Sequence, residues 1–139
     1  MFLNNGFGKN LDILHRTMDV SMYRQQVTAD NIANADTPNF KRSEVNFEAE
    51  LKRALDSEHQ KPRLKTETTN SRHISNQRTQ NYRDVQPRRV LDYLTTSDNN
   101  GNNVDIEEES MLLLQNQLRY NLMTRSMSDH FTRINMVLR

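Results

Sequence analysis

The chain contains no cysteine and no tryptophan, and its 139 residues include only three glycines and three prolines. Without cysteine it can form no disulfide, no thiolate nucleophile and no cysteine-ligated zinc site. With so few glycines it has little means of building phosphate-binding loops, and no GxGxxG, P-loop or GxSxG motif occurs. These absences argue against catalysis, and we expect that the chain is not an enzyme.

Long apolar runs and a surplus of one charge are missing as well. Hydrophobic residues make up 34% of the chain, aromatic residues 6%, and the net charge is +1. No stretch approaches the roughly 18 apolar residues of a membrane span, and the balanced charge does not direct the whole chain towards nucleic acid or lipid. The apolar residues are concentrated towards the two ends. This distribution favours helices that complete their burial against other chains.

Signals for secretion and for metal binding are not recognisable. Residues 1–10 lack a basic segment followed by an apolar core, so no cleaved signal peptide is predicted. The histidines show no ligand spacing and no acidic companion at a metal-site interval; they are His15, His59, His73 and His130. We therefore expect neither a metal nor a cofactor.

From Lys9 onward the apolar residues have helical spacing. The main stripe, at spacings of three, four or their sums, consists of Leu11, Leu14, Met18, Met22, Ala29 and Ile32. A weaker stripe of Ile13, Val20 and Val27 recurs every seven residues on nearly the opposite side. Two stripes predict neighbours on two sides, although a single helix buried in a core is the simpler alternative.

Residues 29–41, which we call the joint, must end this helix. The residue before Pro38 is pushed out of the α region, and short polar side chains such as those of Asp36 and Thr37 compete with helical hydrogen bonding. The alanines of the joint and Ile32 are small or apolar enough to pack against another surface. We hypothesise that four residues of the joint set the angle at which the chain leaves the helix and meets a neighbouring subunit: Ile32, Ala33, Pro38 and Phe40.

The middle of the chain is polar. Residues 44–48 suggest a short strand and residues 47–56 a short helix, whereas the composition from 56 to about 103 predicts extended segments with little regular structure. Basic residues outnumber acidic ones over 61–89. An alternative interpretation is therefore that the chain is a small basic adaptor that binds nucleic acid. Only Tyr82 interleaves with those charges, so a solvated or subunit-facing surface is favoured.

A second long helix is predicted over 106–138. A dense turn signal covers 97–103, Asp105 offers an N-cap with Glu108 three residues on, and the acids at 107–109 suit the positive end of a helix dipole. One stripe repeats every seven residues and consists of Leu113, Tyr120, Met127 and Ile134. A second stripe consists of Met111, Leu114, Leu118, Leu122 and Met136.

These patterns predict a mainly α protein. Long N- and C-terminal helices pair as an antiparallel coiled coil, with a largely irregular polar middle segment. We divide the chain into 1–38, 39–103 and 104–139, with both terminal segments in one helical core domain. We further hypothesise that the stripe containing Leu113 faces the N-terminal helix. In the alternative, each helix packs mainly on other chains, and the sequence would show the same apolar stripes.

The joint also resembles a known motif. Its residues 31–41 read NIANADTPNFK, which is similar to the NIAN-x-x-TPGY/F-type signature of the flagellar basal-body rod proteins. The resemblance is carried by Asn31, Ile32, Ala33, Asn34, Asp36, Thr37, Pro38, Asn39, Phe40 and Lys41. Residues 64–74, 102–106 and 116–120 are similar to the same family. Asn39 stands where the family commonly has glycine, and asparagine is the other residue best suited to positive φ, so we expect the turn to be kept.

This resemblance implies a structural subunit of the bacterial flagellar rod, in its proximal part. Such subunits pass through the flagellar type III export apparatus without a cleaved signal peptide. They assemble through their terminal helices into a periplasmic tube that transmits torque and encloses the export channel. The implied partners are further copies of the chain, other rod proteins such as FlgC, the adaptor FliE, the export gate and the MS ring. A different axial component is the nearest alternative.

Overall fold

The computed structural model describes residues 6–59, 70, 80–95 and 100–138. Within them the chain forms helices α1 (Gly6–Ala33), α2 (Glu48–His59) and α3 (Ile106–Leu138), strands β1 (Ser43–Asn46) and β2 (Arg88–Leu91), and a 3-10 turn at Tyr82–Asp84. The prediction of a mainly α protein with long terminal helices is confirmed. Most of the basic stretch at 61–89, the similarity at 64–74 and part of the turn signal at 97–103 lie outside the described residues.

Helices α1 and α3 pair antiparallel. Near the start of α1, Phe7 meets His130 of α3 edge to face, with ring centroids 5.3 Å apart. Midway, Ser21 donates a hydrogen bond to Asn116, and near the end of α1 Asn31 donates one to Glu109. Residue numbers therefore rise along α1 while they fall along α3, as the antiparallel prediction requires.

The face of α3 that meets α1 has the spacing of a coiled coil. Its buried and half-buried positions are separated alternately by four and three residues: Glu109, Leu113, Asn116, Tyr120, Met123, Met127, His130 and Ile134. The stripe of Leu113, Tyr120, Met127 and Ile134 thus shares a face with the residues that contact α1. The other predicted stripe points away: we call Met111, Leu114, Leu118 and Leu122, all exposed, the outer stripe.

On α1 the buried positions belong to the weaker of the two predicted stripes. Val20 and Val27 are buried, together with the polar neighbours Ser21, Thr28 and Asn31. In the main stripe, Leu11, Leu14 and Met18 are half-buried, and Met22 is exposed. β-Branched valine and small polar residues thus line the interior, because they let the two helices approach closely. Contact of Met22 with another chain stays a prediction.

The chain divides into two compact units, Met1–Val45 with Arg89–Arg139, and Asn46–Arg88. The first contains α1, the joint, α3 and most of the two-stranded sheet that β1 and β2 form. The second has its own small core, made of Phe47, Leu51, Ala54, Tyr82 and Val85. The predicted short strand and short helix correspond to β1 and α2, whereas β2 lies in a stretch for which little regular structure was expected.

Across the helices that the structure describes, none is both long and apolar enough to cross a membrane.

Candidate functional site

The joint is a series of tight turns after α1. Backbone amides of Asn34, Ala35 and Thr37 each donate to the carbonyl three residues earlier, and Phe40 repeats the pattern. Asn39 has φ of 60°, which confirms that asparagine keeps the left-handed turn at the position where glycine is common. The joint therefore reverses the chain within a few residues of the end of α1.

Asn102 holds this turn from a distant part of the chain. Its side chain is 0% exposed, and its amide nitrogen donates to the carbonyl oxygens of Asn34, Ala35 and Thr37 at 3.0, 2.7 and 2.9 Å. Its Oδ1 accepts the amide of Val104 at 2.7 Å. The carbonyls that Asn102 binds lie one, two and four residues past Ala33, the last residue of α1, so Asn102 ties down the turns of the joint that follow the helix.

Residues 100–103, which we call the capping loop, make further contacts with the joint. The Asn39 amide donates to the carbonyl of Asn100, and Lys41 Nζ donates to that of Gly101. Gly101 has φ of 80°, and a Cβ at this position would lie 2.8 Å from Asn39 Oδ1. The positive φ favours glycine here, whereas the Asn39 oxygen is the end of an exposed side chain that can move aside.

Asn31 connects the last turn of α1 to β1. Its Nδ2 donates to the carbonyl of Ser43 at 2.9 Å, and its Oδ1 accepts the Ser43 amide at 3.0 Å. The same Nδ2 donates to Glu109 Oε2 at 3.2 Å. Because Asn31 is buried and its amide pairs with backbone in both directions, it fixes the position of β1 relative to both long helices.

Arg42 lies at the centre of a cluster of carboxylates. Its guanidinium contacts Glu44 at 3.1 Å, Glu108 at 3.3 Å and Glu109 at 3.1 Å, and its backbone amide donates to Asn103 Oδ1. Burial raises the pKa of Glu109, which is 1% exposed, although the hydrogen bond from Asn31 and the charge of Arg42 oppose the shift. Burial by itself would lower the pKa of Arg42, but the three carboxylates outweigh it and raise that pKa.

The motif residues divide into an inner polar group and an outer group. Asn31 is buried, while Ile32, Asn34, Phe40 and Lys41 are half-buried. The exposed members are Ala33, Asp36, Thr37, Pro38 and Asn39. Within the subunit, hydrogen bonds to the side chains of Asn31 and Asn102 fix the path of the backbone from the end of α1 to β1. The hypothesis that Ile32, Ala33, Pro38 and Phe40 meet a neighbouring subunit stays a prediction.

Sequence reasoning missed the residues that complete this site. Asn102 and Asn103 were interpreted as a turn, and Glu109 as a first-turn acid of α3, yet all three are buried and bind the joint or its continuation. The predicted N-cap is confirmed, since Asp105 Oδ1 accepts the amides of Glu107 and Glu108. Two local signals were present: a pair of asparagines separated from the N-cap Asp105 by Val104 alone, and the similarity of residues 102–106 to the rod family.

The charged groups of this arrangement pair with one another. Its carboxylates face one arginine, and no group of three or more His, Asp or Glu side chains in the described parts of the chain could hold a metal ion. The site joins the end of α1, the start of β1 and the start of α3 through buried hydrogen bonds and ion pairs.

Comparison with known proteins identifies the same part of the chain. The sequence model of the family described as flagella basal body rod protein matches residues 22–41, the last part of α1 and the joint. The flagellar basal body rod protein FlgB of Borreliella burgdorferi is 47% identical over 135 residues, which cover 97% of this chain and 99% of the relative. The protein of the same name from Borrelia hermsii is also 47% identical with the same coverage. That from Bacillus subtilis is 33% identical over 138 residues, 99% of this chain and 97% of the relative.

Proposed function

The chain belongs to the flagellar basal body rod protein family, together with the proteins named FlgB, and from this membership we propose how it acts. It is a structural subunit of the flagellar rod. We place it in the proximal rod, where it assembles into a tube that transmits torque and encloses the export channel. We assign it no catalytic role, no cofactor and no nucleic-acid partner.

The observation that carries this proposal is the outward apolar surface of the helix pair. Met111, Leu114, Leu118 and Leu122 are between 53% and 67% exposed, although α3 is already paired with α1. Hydrophobic residues make up only 34% of the chain, yet several of them form an exposed row on one helix. Such a row is typical of a surface that a neighbouring subunit covers. Packing of these rows between subunits would build the wall of the tube.

Torque transmission requires that the helix pair and the joint move as one body. Buried polar contacts support this role: Asn102 binds the backbone of the joint, Asn31 binds that of Ser43 in β1, and Arg42 pairs with Glu109 of α3. We propose that the exposed motif residues and the stripe residues contact adjacent subunits. In this scheme segments 1–38 and 104–139 form the assembling core, and 39–103 lies between them.

The proposed partners are other subunits of the same structure. They are further copies of this chain, FlgC-like rod proteins, the adaptor FliE, the export gate and the MS ring. The rod crosses the periplasm, and we propose that the chain reaches it by type III export without losing a signal peptide. What supports these assignments is the family, whose members are named as basal body rod proteins.

Purified basal bodies test the proposal. An epitope-tagged chain should remain with the rod after the filament and hook are removed, and chemical crosslinks should join it to itself and to a second rod protein or the adaptor. Crosslinks confined to distal axial proteins would contradict the proximal position. Absence of the chain from basal bodies, together with normal motility after deletion of its gene, would contradict the rod function. A strain that assembles no basal bodies is the control for co-purification.

A further inference from the structure

Apolar side chains project from the segment between β2 and the capping loop. Tyr93 is 70% exposed and Leu94 97% exposed, and Val90 and Leu91 before them are nearly half exposed. Only 6% of the residues in this chain are aromatic, and large apolar side chains that project together into solvent often mark a contact surface. We call Tyr93 and Leu94 the knob.

The backbone beneath the knob is held in place. The Asp92 amide donates to the carbonyl of Arg42, and Asn103 Nδ2 donates to the carbonyl of Asp92. The Asp92 carboxylate accepts the amides of Leu94 and Thr95 and the Thr95 hydroxyl. Because this segment is already ordered, little conformational entropy remains to be lost when the knob is covered.

The outer stripe of α3 offers a matching surface. Met111, Leu114, Gln115 and Leu118 stand at i, i+3, i+4 and i+7, the four positions that surround a hole on a helix surface. All four are exposed. Arg89 precedes the knob, where it pairs with Asp30 of its own copy at 3.4 Å and stays 40% exposed, and the exposed Glu107 of opposite charge lies one turn before Met111.

We propose that Tyr93 and Leu94 of one copy insert between Met111, Leu114 and Leu118 of a second copy. This inference rests on the proposed function, because a rod needs a contact that repeats. A contact between two different surfaces of identical chains repeats from copy to copy and builds a ring or an open helical assembly. Packing of knob on knob would close a two-fold pair and stop growth. The outer stripe of the next copy is therefore the occupant that fits.

The absence of native cysteine makes disulfide trapping specific. Two differently tagged variants, Leu94→Cys and Leu118→Cys, are produced together, and purified basal bodies are oxidised with copper phenanthroline. We expect a disulfide-linked dimer carrying one of each tag. Leu94→Cys paired with Gln26→Cys, which is exposed on α1, is the matched control and should give none. Dimers of identical variants alone, or no dimer in basal bodies that contain both variants, would overturn the proposal.

A second pair of variants keeps the test independent of disulfide geometry. Leu94→Ser should lower incorporation into basal bodies by about tenfold or more, because it removes a buried leucine from the contact. Leu94→Met should restore it, and both purified variants should keep the far-UV circular dichroism of the parent. Normal incorporation of Leu94→Ser would overturn the inference. Crosslinking of Leu94→Cys to a different basal-body protein would also overturn the inference, but it would leave the proposed rod function intact. Absence of the parent chain from basal bodies would instead contradict the proposed function.

Discussion

Replacement of Asn102 is the sharpest test of how the joint is held. Asn102→Ala removes a donor that serves three carbonyl oxygens and the acceptor of the Val104 amide. The two amide protons and the one accepted bond amount to about three hydrogen bonds, each worth roughly 1 kcal/mol net. We therefore expect a loss of about 3 kcal/mol in the free energy of unfolding, with buried backbone groups left unpaired.

Asn102→Asp separates hydrogen bonding from side-chain volume. Aspartate has nearly the same shape and keeps the acceptor for Val104, but it places a carboxylate oxygen where the amide donates to Asn34, Ala35 and Thr37. The loss should be at least as large as for alanine. Asn100→Ala is the control, because Asn100 is exposed and its side chain accepts one hydrogen bond, from the Asn102 amide, so about 1 kcal/mol or less is expected.

Urea unfolding of the purified chain, followed by far-UV circular dichroism, measures these differences. With a denaturant slope of roughly 1–3 kcal/mol/M, a 3 kcal/mol loss moves the midpoint down by about 1–3 M. Coincident midpoints for Asn102→Asp and the parent would refute the role of the Asn102 amide as a donor to the joint. A loss for alanine without one for aspartate would show that volume, and not donation, is what the site requires.

Three further predictions follow from the same site. Asn39→Gly should leave the urea midpoint almost unchanged, whereas Asn39→Val should cost about 1–2 kcal/mol because a branched side chain is strained at a φ of 60°; equal midpoints for the two variants would contradict this. Ala33→Trp should block rod assembly and motility while the protein is still made and folded, since Ala33 is exposed within the subunit; normal swarming would count against a contact at this residue. Because burial raises the pKa of Glu109 above the ordinary 4.5, its contribution to stability is present below that value and is lost as pH rises through the raised pKa. The urea midpoint of the parent relative to Glu109→Gln should therefore fall as the pH rises above 4.5, and a constant difference would argue against a raised pKa for this carboxyl.

Periodicity was sufficient to predict the two long helices. The helix predicted over 106–138 is α3, Ile106–Leu138, because its caps and its apolar spacing act along one segment of chain. Periodicity was less informative about which stripe of α1 faces inward. The more hydrophobic stripe contains Met22, which is exposed, whereas the buried positions are Val20 and Val27 with polar neighbours. Hydrophobicity indicates that a face is covered, but not whether its own chain covers it.

The long-range contacts of the site could not be predicted from local sequence patterns. Asn102 binds carbonyl groups more than 60 residues away, and Arg42 pairs with Glu109 across a similar separation. Such pairings depend on the tertiary fold and leave no spacing in the sequence. Strand β2 was missed for a related reason: Arg88–Leu91 is four residues long, shows no alternation, and is a strand because β1 pairs with it.

The polar residues between α1 and α3 have a consequence for temperature. Ser21, Asn31, Glu109 and Asn116 are buried there beside Val20 and Val27. Exposure of apolar surface raises the heat capacity on unfolding, whereas exposure of polar surface lowers it. We expect this interior to give a smaller heat-capacity change on unfolding than an apolar interior of the same area, so that the free energy of unfolding changes less with temperature. A shaft built from such helix pairs would then lose less of its rigidity in the cold.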